Sequence, residues 1–102
     1  MLQSNNMYTW VIYDIRKNKT RTRVAKRCKF YGLERVQKSV FLGKIKGRWL
    51  RALNQELIQI INHRTDRIFI VPLDREQLKR IQQAGTAPPL PQLVDGSKSR
   101  FI

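Results

Sequence analysis

An α+β fold is what this sequence predicts, with one antiparallel sheet and both helices on one of its faces. Three observations predict it. The stretches around Tyr8–Asp14 and Arg67–Leu73 are apolar on both alternating sides, the stretch between Leu33 and Ile45 alternates in the manner of paired strands, and two apolar stripes of helical spacing sit between these segments.

The elements follow in order. Tyr8-Thr9-Trp10-Val11-Ile12-Tyr13-Asp14 puts Tyr8, Trp10 and Ile12 on one side and Val11 and Tyr13 on the other, the pattern of a central strand covered on both faces. Arg16-Lys17-Asn18-Lys19 is a polar turn, and Asn18 or Thr20 caps a helix over about Thr20 to Tyr31. Val24, Ala25, Cys28 and Tyr31 share one face of it, and Gly32 is the left-handed residue expected after its last turn. From Leu33 to Ile45, Val36, Val40 and Leu42 fall on one side and Arg35, Gln37, Ser39 and Phe41 on the other. That length exceeds an ordinary strand, so a bend near Lys38-Ser39 should divide it in two, with Gly43 near the far end. Leu50, Leu53, Leu57, Ile60 and Ile61 stripe a second helix over about Gly47 to Asn62, with His63 beside the negative end of its dipole. Arg67–Leu73 is a last core strand, closed by Pro72. Asp74–Gln83 leaves two readings open, one helical turn through Leu78 and Ile81 or a short edge strand around Lys79–Gln83, with Gly85 as its end.

Strand, helix, strand, strand, helix, strand is the order of the ferredoxin-like βαββαβ fold, with room for an extra C-terminal edge strand. Helices cover only one face of such a sheet, yet the first and last strands are apolar on both. A second copy in a symmetric dimer is therefore expected over the other face. The predicted organisation is a polar extension (1–6), one domain (7–85) and a proline-containing tail (86–102). In the tail, TAPPLPQ reads as an extended linker. The end, LVDGSKSRFI, has a turn signal at Asp95-Gly96 and reads either as a strand added to a partner's sheet edge or as a loose tail.

Charge narrows the class of partner. The 102 residues carry 21 Lys and Arg against 7 Asp and Glu, a net +14. Fourteen of those cations lie between Arg16 and Arg51, where Glu34 is the only acid. A clustered excess of this size points to nucleic acid. A membrane-surface helix would need Trp, Phe or Leu opposite the cations and outside the core, so no membrane partner is expected. The single cysteine, Cys28, excludes an intrachain disulfide and reads as a packed thiol. With no apolar run long enough for a membrane span and no signal-peptide core at the N-terminus, a cytoplasmic protein is expected.

No phosphate-binding glycine loop, paired-cysteine cluster, HExxH or serine elbow is present. An RNA-recognition motif needs stacking aromatics in its central strands, and Ser39-Val40-Phe41-Leu42 lacks that signature. What remains is Asp14, a carboxylate at a strand end followed by cations. It reads either as an ion-pair partner of Arg16, Arg21 or Arg23, or as a Mg2+ ligand. Since Mg2+ takes about six oxygens, the metal reading needs two copies of Asp14 across a dimer, with water and phosphate oxygens completing the shell and one water attacking.

The ending Tyr13-Asp14-Ile15, the run Arg21-Thr22-Arg23-Val24-Ala25-Lys26, the block Tyr31-Gly32-Leu33-Glu34-Arg35-Val36-Gln37-Lys38-Ser39-Val40-Phe41 and Ile70-Val71-Pro72-Leu73 together resemble CRISPR-associated protein 2, over Met7 to about Gly85. The resemblance implies a ferredoxin-like homodimer that bridges two dimers of the CRISPR integrase subunit and holds the DNA duplex of a spacer precursor. It also implies metal-dependent cleavage of single-stranded RNA or double-stranded DNA in some members. Carried over, Asp14 is the Mg2+ ligand and a catalytic residue, and Tyr13, Arg21, Arg23, Arg35 and Phe41 match positions associated with activity or substrate contact, the arginines as phosphate clamps; Arg16 and Lys17 join them as nucleic-acid contacts from the cationic run itself. Two departures stand out. The turn Arg16-Lys17-Asn18-Lys19 lacks the acids that many members have there, and Lys38 replaces a frequent aromatic. Both favour holding phosphate over holding metal. A toxin-like or single-strand-specific ribonuclease and a non-enzymatic RNA-binding module are the alternative readings.

Overall fold

The alternation along the first strand decides the layering. The computed structural model describes residues 6–86 and Leu90. Its elements are β1 (Asn6–Asp14), α1 (Asn18–Phe30), β2 (Glu34–Gln37), β3 (Val40–Lys46), α2 (Gly47–Ile60), β4 (Arg67–Leu73) and α3 (Arg75–Lys79). The strands form one antiparallel sheet in the order β2-β3-β1-β4, and the fold is the α+β, ferredoxin-like one that the element order predicts. Successive side chains of a strand point to opposite faces. Val11, Tyr13, Phe41 and Ile45 therefore meet Val24, Ala25 and Cys28 of α1 and Leu53 and Leu57 of α2 in one core. Leu53 and Leu57 are almost completely buried, each stabilising the fold by about 1.5–3 kcal/mol relative to exposure.

The long alternating stretch breaks where expected. β2 ends at Gln37, β3 starts at Val40, and the register slips between Arg35 and Gln37. Gly43 of β3 lies where no side chain fits: a Cβ there would stand 2.6 Å from Leu33 Cδ2 and 2.9 Å from Leu33 Cα. α1 ends as expected, with Gly32 at φ +89°, a conformation that L side chains pay for.

Three expectations need correction, and one choice left open is settled. α1 begins at Asn18, not Thr20, with Lys17 as N-cap and no side-chain cap; Arg21 instead reaches back to the turn. α2 stops at Ile60 rather than Asn62, because Asp66 draws Asn62 into a tight turn: the Asn62 N–H donates to Asp66 Oδ2 (2.9 Å) and the Asp66 N–H to the Asn62 carbonyl (2.8 Å). β1 starts at Asn6, so the sheet takes in the last residue of the stretch read as an extension. After β4 the chain forms α3 and not an edge strand, because Asp74 and Gln77 make a reciprocal capping box.

On the face away from α1 and α2, register places Tyr8, Trp10, Ile12 and Asp14 beside Leu73, Val71, Phe69 and Arg67. The chain itself covers one end of this face. Leu78 of α3 and Leu90 pack with Tyr8 and Leu42, flanked by Trp10, Val36, Leu73 and Ile81, and Arg75 donates to the Tyr8 hydroxyl at 2.6 Å. The other end stays open, with Ile12, Phe69 and Val71 between 37% and 57% exposed. The end of the tail, 93–102, and the strand expected of it lie outside the described residues.

Candidate functional site

Asp14 closes β1 at the open end of the helix-free face, in register with Arg67 and next to Ile12 and Phe69. It is exposed, and its carboxylate makes no hydrogen bond or ion pair among the described residues. Beyond it, Ile15 turns inward and is buried, which anchors the turn and swings Arg16 and Lys17 into solvent.

Two side chains from elsewhere fix this turn. Arg21 donates through Nη1 to the carbonyls of Ile15 (2.7 Å) and Arg16 (3.1 Å) and through Nη2 to Asn18 Oδ1 (3.2 Å). Asp66, in the connection between α2 and β4, accepts the Arg16 N–H (3.0 Å), the Asn62 N–H (2.9 Å) and the Thr65 hydroxyl (3.0 Å). These backbone donors, Arg16 first and Asn62 next, hold its carboxyl below the usual aspartate range, with Thr65 and the nearby Lys17 charge adding to them. His63 donates from Nε2 to the Ile58 carbonyl at 2.7 Å, serving the end of α2.

The residues singled out in the sequence separate into three groups. Asp14, Arg16, Lys17 and Arg23 present exposed side chains at or just after the strand end. Arg21 belongs to the scaffold of the turn and Arg35 to that of the hairpin: Arg35 lies 5.0 Å over the Phe41 ring and donates to the Lys38 carbonyl at 2.8 Å, though it remains exposed. Tyr13 and Phe41 are buried on the helix side, stacked at 6.4 Å, and the Tyr13 hydroxyl donates to Lys38 O at 3.4 Å. Burial pushes the Tyr13 hydroxyl up, against the opposing charges of Arg35 and Arg21. Tyr13 and Asp14 are adjacent on a strand and so point to opposite faces. The fold does not bring Tyr13 or Phe41 to the carboxylate; they hold the hairpin that carries Arg35 and Lys38. Cys28 is fully buried, and burial pushes its thiol up to about 12, so it is no nucleophile.

Asp66 and Arg67 were missed by sequence reasoning, although Asn62-His63-Arg64-Thr65-Asp66 carries the Asn and Asp spacing of a side-chain-stabilised turn. As a Mg2+ centre, one chain is incomplete. Among the described residues no three His, Cys, Asp or Glu side chains cluster, and both Asp66 oxygens already accept hydrogen bonds. The donor set fits Mg2+ only if a second copy of Asp14 joins the first. No helix among the described residues is long and apolar enough to cross a membrane.

Comparison with known proteins converges on one family. The family model described as CRISPR associated protein Cas2 matches residues 7–81. CRISPR-associated endoribonuclease Cas2 2 of Pyrobaculum aerophilum is 38% identical over 89 residues, spanning 87% of this chain and 98% of that one. A CRISPR-associated endonuclease Cas1/endonuclease Cas2 fusion of Thermoproteus tenax is 29% identical over 84 residues, 82% of this chain and 32% of the fusion. Among solved structures, Cas2 of Streptococcus pyogenes superposes with a TM-score of 0.69 at 32% identity, over 78% of this chain and 100% of that one. With a family model over residues 7–81, a relative 38% identical across most of both chains and a superposable solved structure in agreement, the chain belongs to the CRISPR-associated Cas2 family.

Proposed function

We propose that two copies of this chain meet on their helix-free sheet faces and together hold the backbone of duplex DNA, as the subunit of CRISPR spacer acquisition that bridges dimers of the integrase. The observation that carries this reading is the composition of one rim of the sheet. Exposed Ile12, Phe69 and Val71 offer apolar surface, and directly beyond them the turn after Asp14 carries exposed Arg16 and Lys17, with Arg23 on the helix that follows. Joining two such faces buries the apolar part and sets the cations of both copies along one track. Phosphates then bind without sequence preference. The Cas1/Cas2 fusion relative supports Cas1 as the integrase partner.

A second reading, cleavage of nucleic acid with Mg2+, is favoured by the unengaged Asp14 carboxylate and by the name endoribonuclease borne by the Pyrobaculum relative. Two Asp14 carboxylates facing across the dimer would hold the ion, which supplies an activated water when bound. The chain's own part is to present Asp14 on a rigid strand end and to place phosphate beside it through Arg16 and Lys17.

Asp14→Asn separates the two readings. Duplex retention and integration by the variant should match the parent while any Mg2+-dependent hydrolysis falls to background. Loss of retention in a folded Asp14→Asn dimer would count against the adaptor reading, and hydrolysis that persists would count against the enzymatic one.

A further inference from the structure

The helical layer, on the opposite side of the sheet from Asp14, carries a surface that this reading does not use. Phe30, the last residue of α1, is 69% exposed, and Trp49, in the first turn of α2, is 46% exposed. Both rings lean on Tyr31: Phe30 stands edge-on to it at 5.2 Å, and Trp49 is tilted against it at 6.5 Å. Guanidinium groups lie against the same rings, Arg27 at 4.3 Å from the Phe30 centroid and Arg48 at 5.1 Å from that of Trp49.

The strip is built, not incidental. Glu56 of α2 accepts Arg27 Nε and the Tyr31 hydroxyl, each at 2.5 Å, so one carboxylate ties the two helices and fixes the groups that flank Phe30 and Trp49. Core packing accounts for Val24, Ala25 and Cys28 on α1 and for Leu53 and Leu57 on α2. It does not account for Phe30 or Trp49, which leave much of their ring surface in water. A contiguous exposed apolar strip of this kind marks a contact with something else.

Charge identifies the chemistry of that contact. α1 carries six Lys and Arg and no acid; α2 adds Arg48 and Arg51, and Glu56, the only carboxylate of either helix, is already committed to Arg27 and Tyr31. The cores of protein–protein interfaces are depleted of lysine, whereas Lys26 and Lys29 sit close in sequence to Phe30. Exposed rings, each with a guanidinium against one face and set among further cations, suit a polyanion that also carries flat apolar rings. Single-stranded nucleic acid is that ligand, while a duplex keeps its base faces stacked within itself. We propose that this strip is a second nucleic-acid site, in which Phe30 and Trp49 stack unpaired bases and Lys29 and Arg48 take the adjoining phosphates. It goes beyond the adaptor reading and does not require the dimer.

The test titrates the full chain with three fluorescein-labelled probes: an oligothymidylate, an abasic oligonucleotide of the same length, and duplex DNA. Stacking is lost on alanine substitution at roughly 5-fold or more in affinity per base. The Phe30→Ala/Trp49→Ala variant should therefore bind oligothymidylate at least about 10-fold more weakly while its affinity for the abasic and duplex probes is unchanged. Phe30→Leu/Trp49→Leu, which keeps apolar bulk without aromatic faces and so guards against a folding defect, should lose the same probe, and Phe30→Tyr/Trp49→Phe should keep it. Unchanged oligothymidylate binding, or an equal loss for all three probes, would overturn the proposal. So would a variant that releases a Cas1 protein while binding every probe as before, since the strip would then belong to a protein interface.

Discussion

Gly43 and Asp66 show how much of this molecule rests on single residues. The backbone of Leu33 closes over Gly43, so Gly43→Ala must push the Gly32–Leu33 segment, which joins α1 to β2, away from β3. It is expected to destabilise the protein by about 1–3 kcal/mol, read as a lower urea midpoint with unchanged slope; a midpoint at or above the parent's would show that the connection between α1 and β2 yields freely. Asp66 acts through protonation. Its folded carboxyl titrates below the ordinary aspartate range because backbone amides stabilise the charged form. Its stabilising effect is therefore present above that ordinary range and lost as pH falls through the folded value. Melting temperature should fall on acidification, and Asp66→Asn should melt lower at neutral pH and with a flatter acid limb. Parallel curves for parent and variant would mean that Asp66 does not hold the turn. Glu56, lowered by its hydrogen bonds from Arg27 and Tyr31, titrates in the same direction and leaves a residual acid limb in that variant.

At the scale of elements, α3 is a short helix with one clear anchor. Leu78 is buried with Tyr8, Leu42 and Leu90. Leu78→Ala should cost about 2 kcal/mol, the low end for a buried leucine because so short a helix can settle over the gap. Amide exchange should quicken in 75–79 and at the Tyr8 end of β1 more than in α1; uniform quickening would contradict a locally docked helix. Such elements mark the limit of what the sequence disclosed. β4 was legible to the residue and the β2–β3 division at Lys38-Ser39 was correctly placed, since alternation and length leave few choices. α3 stays ambiguous in the sequence although Asp74 and Gln77 spell its capping box, and the early end of α2 depends on Asp66, which no stripe reveals. The same division runs through the candidate site. Asp14 and the exposed cations could be read from a strand end and a charge run, but alternation alone could not say that Arg21 would turn back onto the carbonyls of the loop or that Asp66 would close it from fifty residues away.

For the molecule as a whole, a net +14 is the dominant fact. The fold places cations both around the strand end of β1 and along α1, so self-repulsion is relieved by a polyanion on either side. If duplex DNA is held through its backbone, log–log plots of affinity against salt should be steep, about 0.9 per phosphate neutralised, and insensitive to base sequence; a shallow or sequence-dependent slope would contradict backbone binding. That track depends on the pairing of two sheets, and the pairing depends on the open patch of Ile12, Phe69 and Val71. Sedimentation equilibrium of the parent beside Phe69→Asp tests it most directly. The parent is expected at twice its chain mass of 12.1 kDa and the variant at the single mass, folded but with its duplex binding weakened; a parent that sediments as a monomer, or a variant that remains a dimer, would contradict the account.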